Sequence, residues 1–96
     1  MTKVLVRDIE RELVREISYE LIVKIRFKEK ETGVVPDETI YRFDIVREYA
    51  EGIFEPYEDE AEVYVNQEGV ILEMNGTEGE EEEETIREMV IELLKT

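Results

Sequence analysis

The sequence predicts a two-layer α+β domain, a three- to four-stranded antiparallel sheet flanked by an N-terminal and a C-terminal helix. Three observations carry that reading. Apolar residues recur four apart near both ends of the chain, they alternate with charged residues through the middle, and Asn66-Gln67-Glu68-Gly69 joins two of the alternating runs. With 96 residues and neither an internal repeat nor a Gly/Ser- or Pro-rich linker, residues 1–96 form one domain.

The first element is expected to be an amphipathic helix over residues 4–17. Leu5, Ile9, Leu13 and Ile17 are spaced four apart, Val6 and Val14 flank them, and Arg7, Arg11 and Arg15 line up beside Asp8, Glu12 and Glu16. Lys3 and Arg7 have the wrong sign for a helix N-terminus, so a short strand at 3–6 followed by a helix capped at Asp8 stands as the alternative. From Tyr19 the period becomes two: Tyr19, Leu21, Val23, Ile25 and Phe27 form one face of a strand. Glu31-Thr32-Gly33 reads as a turn. Residues 39–46 are mostly β-branched or aromatic and are expected to form a strand, with helix or turn over 47–51. An alternative helix there would be capped at Asp37 and stopped at Gly52.

Residues 61–65 and 70–74 alternate again. They predict a hairpin that matches Ala61, Val63 and Val65 with Val70, Leu72 and Met74, closed by a type I turn with Gly69 in the left-handed region. After Asn75-Gly76, Thr77 and Glu80 have the spacing of a capping box for a last helix. Its apolar stripe is Ile86, Met89, Val90, Leu93 and Leu94.

Charge dominates the composition. There are 27 Asp+Glu against 12 Lys+Arg, a formal net charge of −15, and the imbalance is one-sided. Residues 1–50 carry 10 basic and 11 acidic groups, residues 51–96 carry 2 and 16. Such a field repels nucleic acid and anionic membrane and attracts basic surfaces, so direct nucleic-acid binding and membrane association are excluded as expectations. No apolar run approaches the ~18 residues of a membrane span. Nor does the N-terminal segment have the apolar stretch and small-residue site of a secretory signal, which leads to the expectation of a cytoplasmic protein.

With no His and no Cys, imidazole and thiolate metal sites and the His-dependent triads have no material. Calcium would need the spaced ligands of an EF-hand loop, which are missing. Two Glu residues can act as acid and base, but among 23 nothing singles out a pair. Ser18 reads as a turn residue. The expectation is a non-enzyme without cofactor or metal.

Two stretches remain as candidate contact surfaces. On the last helix Glu80, Glu84 and Glu88 form a row of like charges beside Glu81, which can imitate a row of phosphates. Carboxylates in a first helical turn also complement the helix dipole, and Glu83 is placed to reach Arg87, so a purely structural account exists. In the second stretch Phe54 and Tyr57 are interleaved with Glu58, Asp59 and Glu60, in what is expected to be an exposed connection suited to a basic, partly apolar partner. The structural alternative folds both rings back onto the sheet. Lys24, Arg26, Lys28 and Arg42 are expected to share one sheet face. They can dock an acidic surface, including the chain's own acidic half in a homodimer, or simply discourage sticking.

The functional expectation is a non-catalytic interaction protein that binds a basic protein surface, as an inhibitor or nucleic-acid mimic, through Phe54, Tyr57, Glu58, Asp59, Glu60, Glu80, Glu81, Glu84 and Glu88. The alternative is a stable scaffold domain with no specific ligand. Abundant Glu, Val and Ile beside scarce Ser, Gln, Asn and Ala suits such a scaffold, whether thermophilic or engineered.

Overall fold

The computed structural model describes residues 10–16, 19–33, 35, 37–52 and 54–95. Five strands, β1 (Glu10–Glu16), β2 (Glu20–Thr32), β3 (Thr39–Tyr49), β4 (Tyr57–Val65) and β5 (Ile71–Asn75), are followed by one helix, α1 (Glu80–Leu94). Every strand pairs antiparallel with its sequence neighbour, giving an up-and-down meander in the order β1-β2-β3-β4-β5. The sheet curls into a half-barrel, and α1 packs into its concave face.

The architecture corrects the expected fold class on two points: among the described residues the sheet has five strands, and it has one helical partner, which follows the last strand. The expected N-terminal helix over 4–17 is replaced, in its described part, by β1; residues 4–9 and 17 lie outside the described residues. The reason is that a four-residue spacing is also a multiple of two. Leu5, Ile9, Leu13 and Ile17 all fall on odd positions, and so do Arg7, Arg11 and Arg15. Residues spaced to make a helical stripe therefore also suit one face of a strand, as Arg11, Leu13 and Arg15 show in β1. β2 decides between the two, because Leu13 pairs with Val23 and Arg15 with Leu21, completing the ladder on that edge.

The expected strand at 39–46 forms and runs on to Tyr49, so residues 47–49 are strand, and the turn is confined to Ala50 and Glu51. The segment from Tyr57 to Glu60, expected as a connection, is the first half of β4. The hairpin forms with its expected turn. Gly69 has φ +83°, and its N–H donates to the Asn66 carbonyl at 3.0 Å. The Asn66 side-chain oxygen accepts from the N–H groups of Glu68 (3.0 Å) and Val70 (2.9 Å). The facing residues of β5 differ from expectation. A bulge at Leu72 puts Ile71 opposite Val65 and Met74 opposite Val63. The extra residue resets the alternation, so Ile71 and Met74 pack against the core while Val70 and Leu72 are exposed.

The core lies between the concave face and α1. Leu21, Val23, Ile25 and Phe27 of β2, Tyr41, Phe43 and Ile45 of β3, and Ala61, Val63 and Val65 of β4 meet Ile86, Met89 and Val90 of the helix. Each fully buried side chain of this kind stabilises the fold by roughly 1.5–3 kcal/mol relative to exposure. The expected helical stripe holds for Ile86, Met89, Val90 and Leu93, whereas Leu94 is exposed. The capping box based on Thr77 does not form. The N-cap is Gly79, with φ 83° and no side chain to offer, and Glu82 in the first turn accepts the Glu78 N–H at 2.9 Å. Among the described residues no helix is long and apolar enough to cross a membrane.

Candidate functional site

One end of the sheet gathers the end of β1, the start of β2, the end of β3, the start of β4 and the start of α1. Alternate connections of a meander lie at the same end, which is why Tyr19, before β2, meets the loop after β3. The backbone closes this end with a 3.0 Å hydrogen bond from the Ala50 N–H to the Glu20 carbonyl. Tyr19, Tyr49 and Phe54 form a mutual cluster, with centroid separations of 6.2 Å (Tyr19–Tyr49), 6.0 Å (Tyr19–Phe54) and 5.0 Å (Tyr49–Phe54), all edge-to-face. Tyr19 is 46% exposed and Phe54 51% exposed. Glu16, Glu20, Glu48, Glu51 and Glu55 flank these rings in the chain, and all five are exposed.

Beside the cluster, the helix start is anchored by a buried ion network. The Arg47 guanidinium donates to Glu82 through Nε–Oε2 at 2.9 Å and Nη2–Oε1 at 2.7 Å, and both side chains are fully buried. Arg47 Nη1 donates to Asp59, and Glu78 approaches Nε at 3.5 Å. The Tyr57 ring covers the guanidinium, 5.4 Å from its carbon to the ring centroid. From β1, Arg15 comes within 3.7 Å of Glu82 and donates to the Glu78 carbonyl at 3.2 Å. The hydrogen bonds that Arg47 donates to Glu82 hold its guanidinium well above its ordinary range, outweighing the opposing effect of burial. Burial, with the Glu78 charge, pushes the Tyr57 phenol up.

The expected site residues separate into three groups. Phe54 belongs to the exposed ring cluster. Tyr57 is 38% exposed, with its ring on Arg47 and its hydroxyl 3.4 Å from Glu78. The carboxylates of Glu58, Asp59 and Glu60 do not form one exposed loop surface. Glu58 is exposed, Asp59 is bound by Arg47, and Glu60 accepts from Lys28 at 2.8 Å and from Arg42 at 3.2 Å. Glu80, Glu81, Glu84 and Glu88 are exposed on α1, and Glu80 and Glu81 sit at the same end as the rings. Among the described residues no Glu83–Arg87 ion pair forms; Glu83 instead accepts from the Thr77 hydroxyl at 3.5 Å.

The basic face is mostly consumed within the chain. Arg42 binds Glu31, Glu60 and Glu62, and Lys28 binds Glu60. Those bonds raise the Lys28 and Arg42 values and lower that of Glu60. Carboxylates of the same sheet thus meet these two cations inside one molecule, across β2, β3 and β4.

Sequence reasoning missed Tyr19 and Tyr49 as partners of Phe54, and it missed the Arg47–Glu82 pair. The pair did leave a signal. Arg47 continues the inward parity of Tyr41, Phe43 and Ile45, and Glu82 lies four residues before Ile86 on the apolar stripe of α1. A charged residue on each buried face, of opposite sign, is the pattern of a buried ion pair. No group of residues suited to holding a metal ion occurs among the described residues. No protein family, curated protein sequence or solved structure matches the chain.

Proposed function

We propose that this is a non-catalytic interaction protein that docks a basic protein surface onto its aromatic, acidic end and thereby blocks a site meant for nucleic acid or another acidic ligand. The observation that carries the reading is the Tyr19–Tyr49–Phe54 cluster, with two rings half exposed among exposed carboxylates that find no ion-pair partner among the described residues. Three aromatic rings held against one another at a surface lose little freedom on binding, and buried aromatics supply most of the lasting affinity of an interface. Glu55, Glu58, Glu80 and Glu81 around them, with Glu84 and Glu88 further along α1, supply the field that speeds encounter with a basic partner. A cytoplasmic setting goes with such a partner.

The scaffold alternative draws on a different observation. Asp59, Glu60, Glu62 and Glu82 are satisfied inside the chain, so part of the acidity serves the fold.

A pull-down from nucleic-acid-free lysate, run at low and at physiological salt, tests the proposal. The baits are the protein and its Tyr19→Ala, Phe54→Ala variant; Tyr57 is left intact because its ring covers Arg47. A discrete basic protein that survives physiological salt and is lost with the variant is the expected result. A smear of basic proteins that vanishes as salt rises, equal for both baits, overturns it in favour of the scaffold.

A further inference from the structure

At the opposite end of the sheet, a cleft of about 660 Å³ opens between the β2–β3 connection, the Asn66–Gly69 turn and the C-terminal end of α1. That volume lies within the range of small-molecule sites, ~300–1,000 Å³. Its apolar wall is Val65, Ile91 and Leu94, and the two helical residues are 46% and 41% exposed there. The floor is more telling. Tyr41 is only 5% exposed, yet its hydroxyl has no hydrogen-bonding partner among the described residues. The oxygen is not sealed in, since no buried side-chain polar atom lacks a partner, and the cleft is the opening that Tyr41 lines. A phenol whose ring is packed and whose oxygen is left unengaged at a concave surface is poised for a ligand.

The charges around it indicate the sign of that ligand. Asp37 and Glu68 stand on the rim against Lys95. The C-terminal end of α1 adds its partial negative charge, which the C-cap Lys95 offsets only in part, so the two carboxylates and the helix end outweigh the one cation. Burial raises the Tyr41 phenol, so at neutral pH it stays protonated, with lone pairs free to accept.

From these features we infer that the cleft is a binding site for a small amphipathic organic cation, an ammonium group attached to an apolar body. The ammonium sits between Tyr41 and the rim carboxylates, and the body lies on Val65, Ile91 and Leu94. This site is separate from the aromatic end and stands or falls independently of the function proposed above.

Titration of the protein with phenethylammonium chloride, followed by backbone-amide and methyl NMR, tests the inference. The control is 3-phenylpropanoate, a ligand of similar body and opposite charge. Saturable shifts at Thr39, Tyr41, Val65 and Leu94 with the cation, and weaker binding of the anion, are expected. Tyr41→Phe, which keeps the ring and removes only the unpartnered oxygen, should weaken binding about threefold to tenfold. Asp37→Asn, at an exposed position, should weaken it as well. Equal binding of the two ligands, binding unchanged in both variants, or the absence of saturable shifts at the cleft would overturn the inference.

Discussion

Arg47 on the third strand and Glu82 in the first turn of the helix face each other through two hydrogen bonds, of 2.9 and 2.7 Å, with neither side chain reaching solvent. Here the helix is joined to the sheet by buried charge rather than apolar contact, and the pair aims the helix start at the aromatic end. Ion pairs of this kind are asymmetric: breaking one costs far more than replacing both partners. Arg47→Met is expected to destabilise the fold by about 3–5 kcal/mol, because Glu82 is left charged and buried. Adding Glu82→Leu should recover most of that loss, as read from urea unfolding of the single and double variants.

Gly76, with φ +89°, is held against the fourth strand. A Cβ there would lie 2.2 Å from the Glu60 carbonyl oxygen and 3.0 Å from the Ala61 Cα. Gly76→Ala should therefore cost about 2–4 kcal/mol, through backbone strain and displacement of the strand. Gly52→Ala is the internal comparison. Its φ is also positive, at +67°, but nothing lies within 4 Å of the added carbon, and only about 1 kcal/mol of conformational cost is expected. Thermal unfolding of the two variants separates strain from collision.

The Asn66 side chain closes the fourth-to-fifth strand turn by accepting from two backbone N–H groups. Asn66→Ala should lower stability by about 1–2 kcal/mol, while Asn66→Asp, which keeps the acceptor, should lower it less. Denaturant midpoints are sufficient to rank the three proteins.

Lys28 and Arg42 hold the Glu60 carboxyl below its ordinary value of 4.5. Its folded value is depressed, so its contribution to stability is present above about pH 4.5 and is lost as pH falls through the lower folded value. Glu60→Gln should flatten the acid limb of the stability–pH curve in that window and leave the shape near neutrality unchanged. Unfolding followed between pH 3 and 7 measures the difference.

On the exposed side of the helix, Glu80, Glu84 and Glu88 repel one another at four-residue spacing. Glu84→Gln should stabilise the helix by a few tenths of a kcal/mol. It should also slow association with a basic partner and reduce the salt sensitivity of that association, which stopped-flow binding at two ionic strengths reports.

Strand alternation from Leu21 to Phe27, the Asn66–Gly69 turn and the apolar stripe of the last helix were all legible in the sequence, because each is a local pattern tied to one backbone geometry. The first element was not. A spacing of four serves a helix face and a strand face alike, and only the pairing partner Leu21–Ile25 resolves the degeneracy. The fifth strand is legible only in part for a related reason: Met74 faces the core as its alternation predicts, but the bulge at Leu72 puts Ile71 there in place of Val70 and Leu72, and a bulge is a property of two strands rather than one.

The candidate site divides along the same line. Phe54 and the acidic helix face could be read as exposed and charged from composition and period. The meeting of Tyr19 with Tyr49 and Phe54, and the capture of Asp59, Glu60 and Glu82 by arginine and lysine 12 to 35 positions away, depend on contacts between strands and between layers. The sequence by itself determined the acidity, the alternating strands, the turn and the final helix, since those follow from side-chain chemistry at short range. The tertiary structure alone decided how many strands join, which carboxylates remain free and which rings meet, because hydrogen-bond pairing across strands and charge pairing across layers are settled by proximity in space.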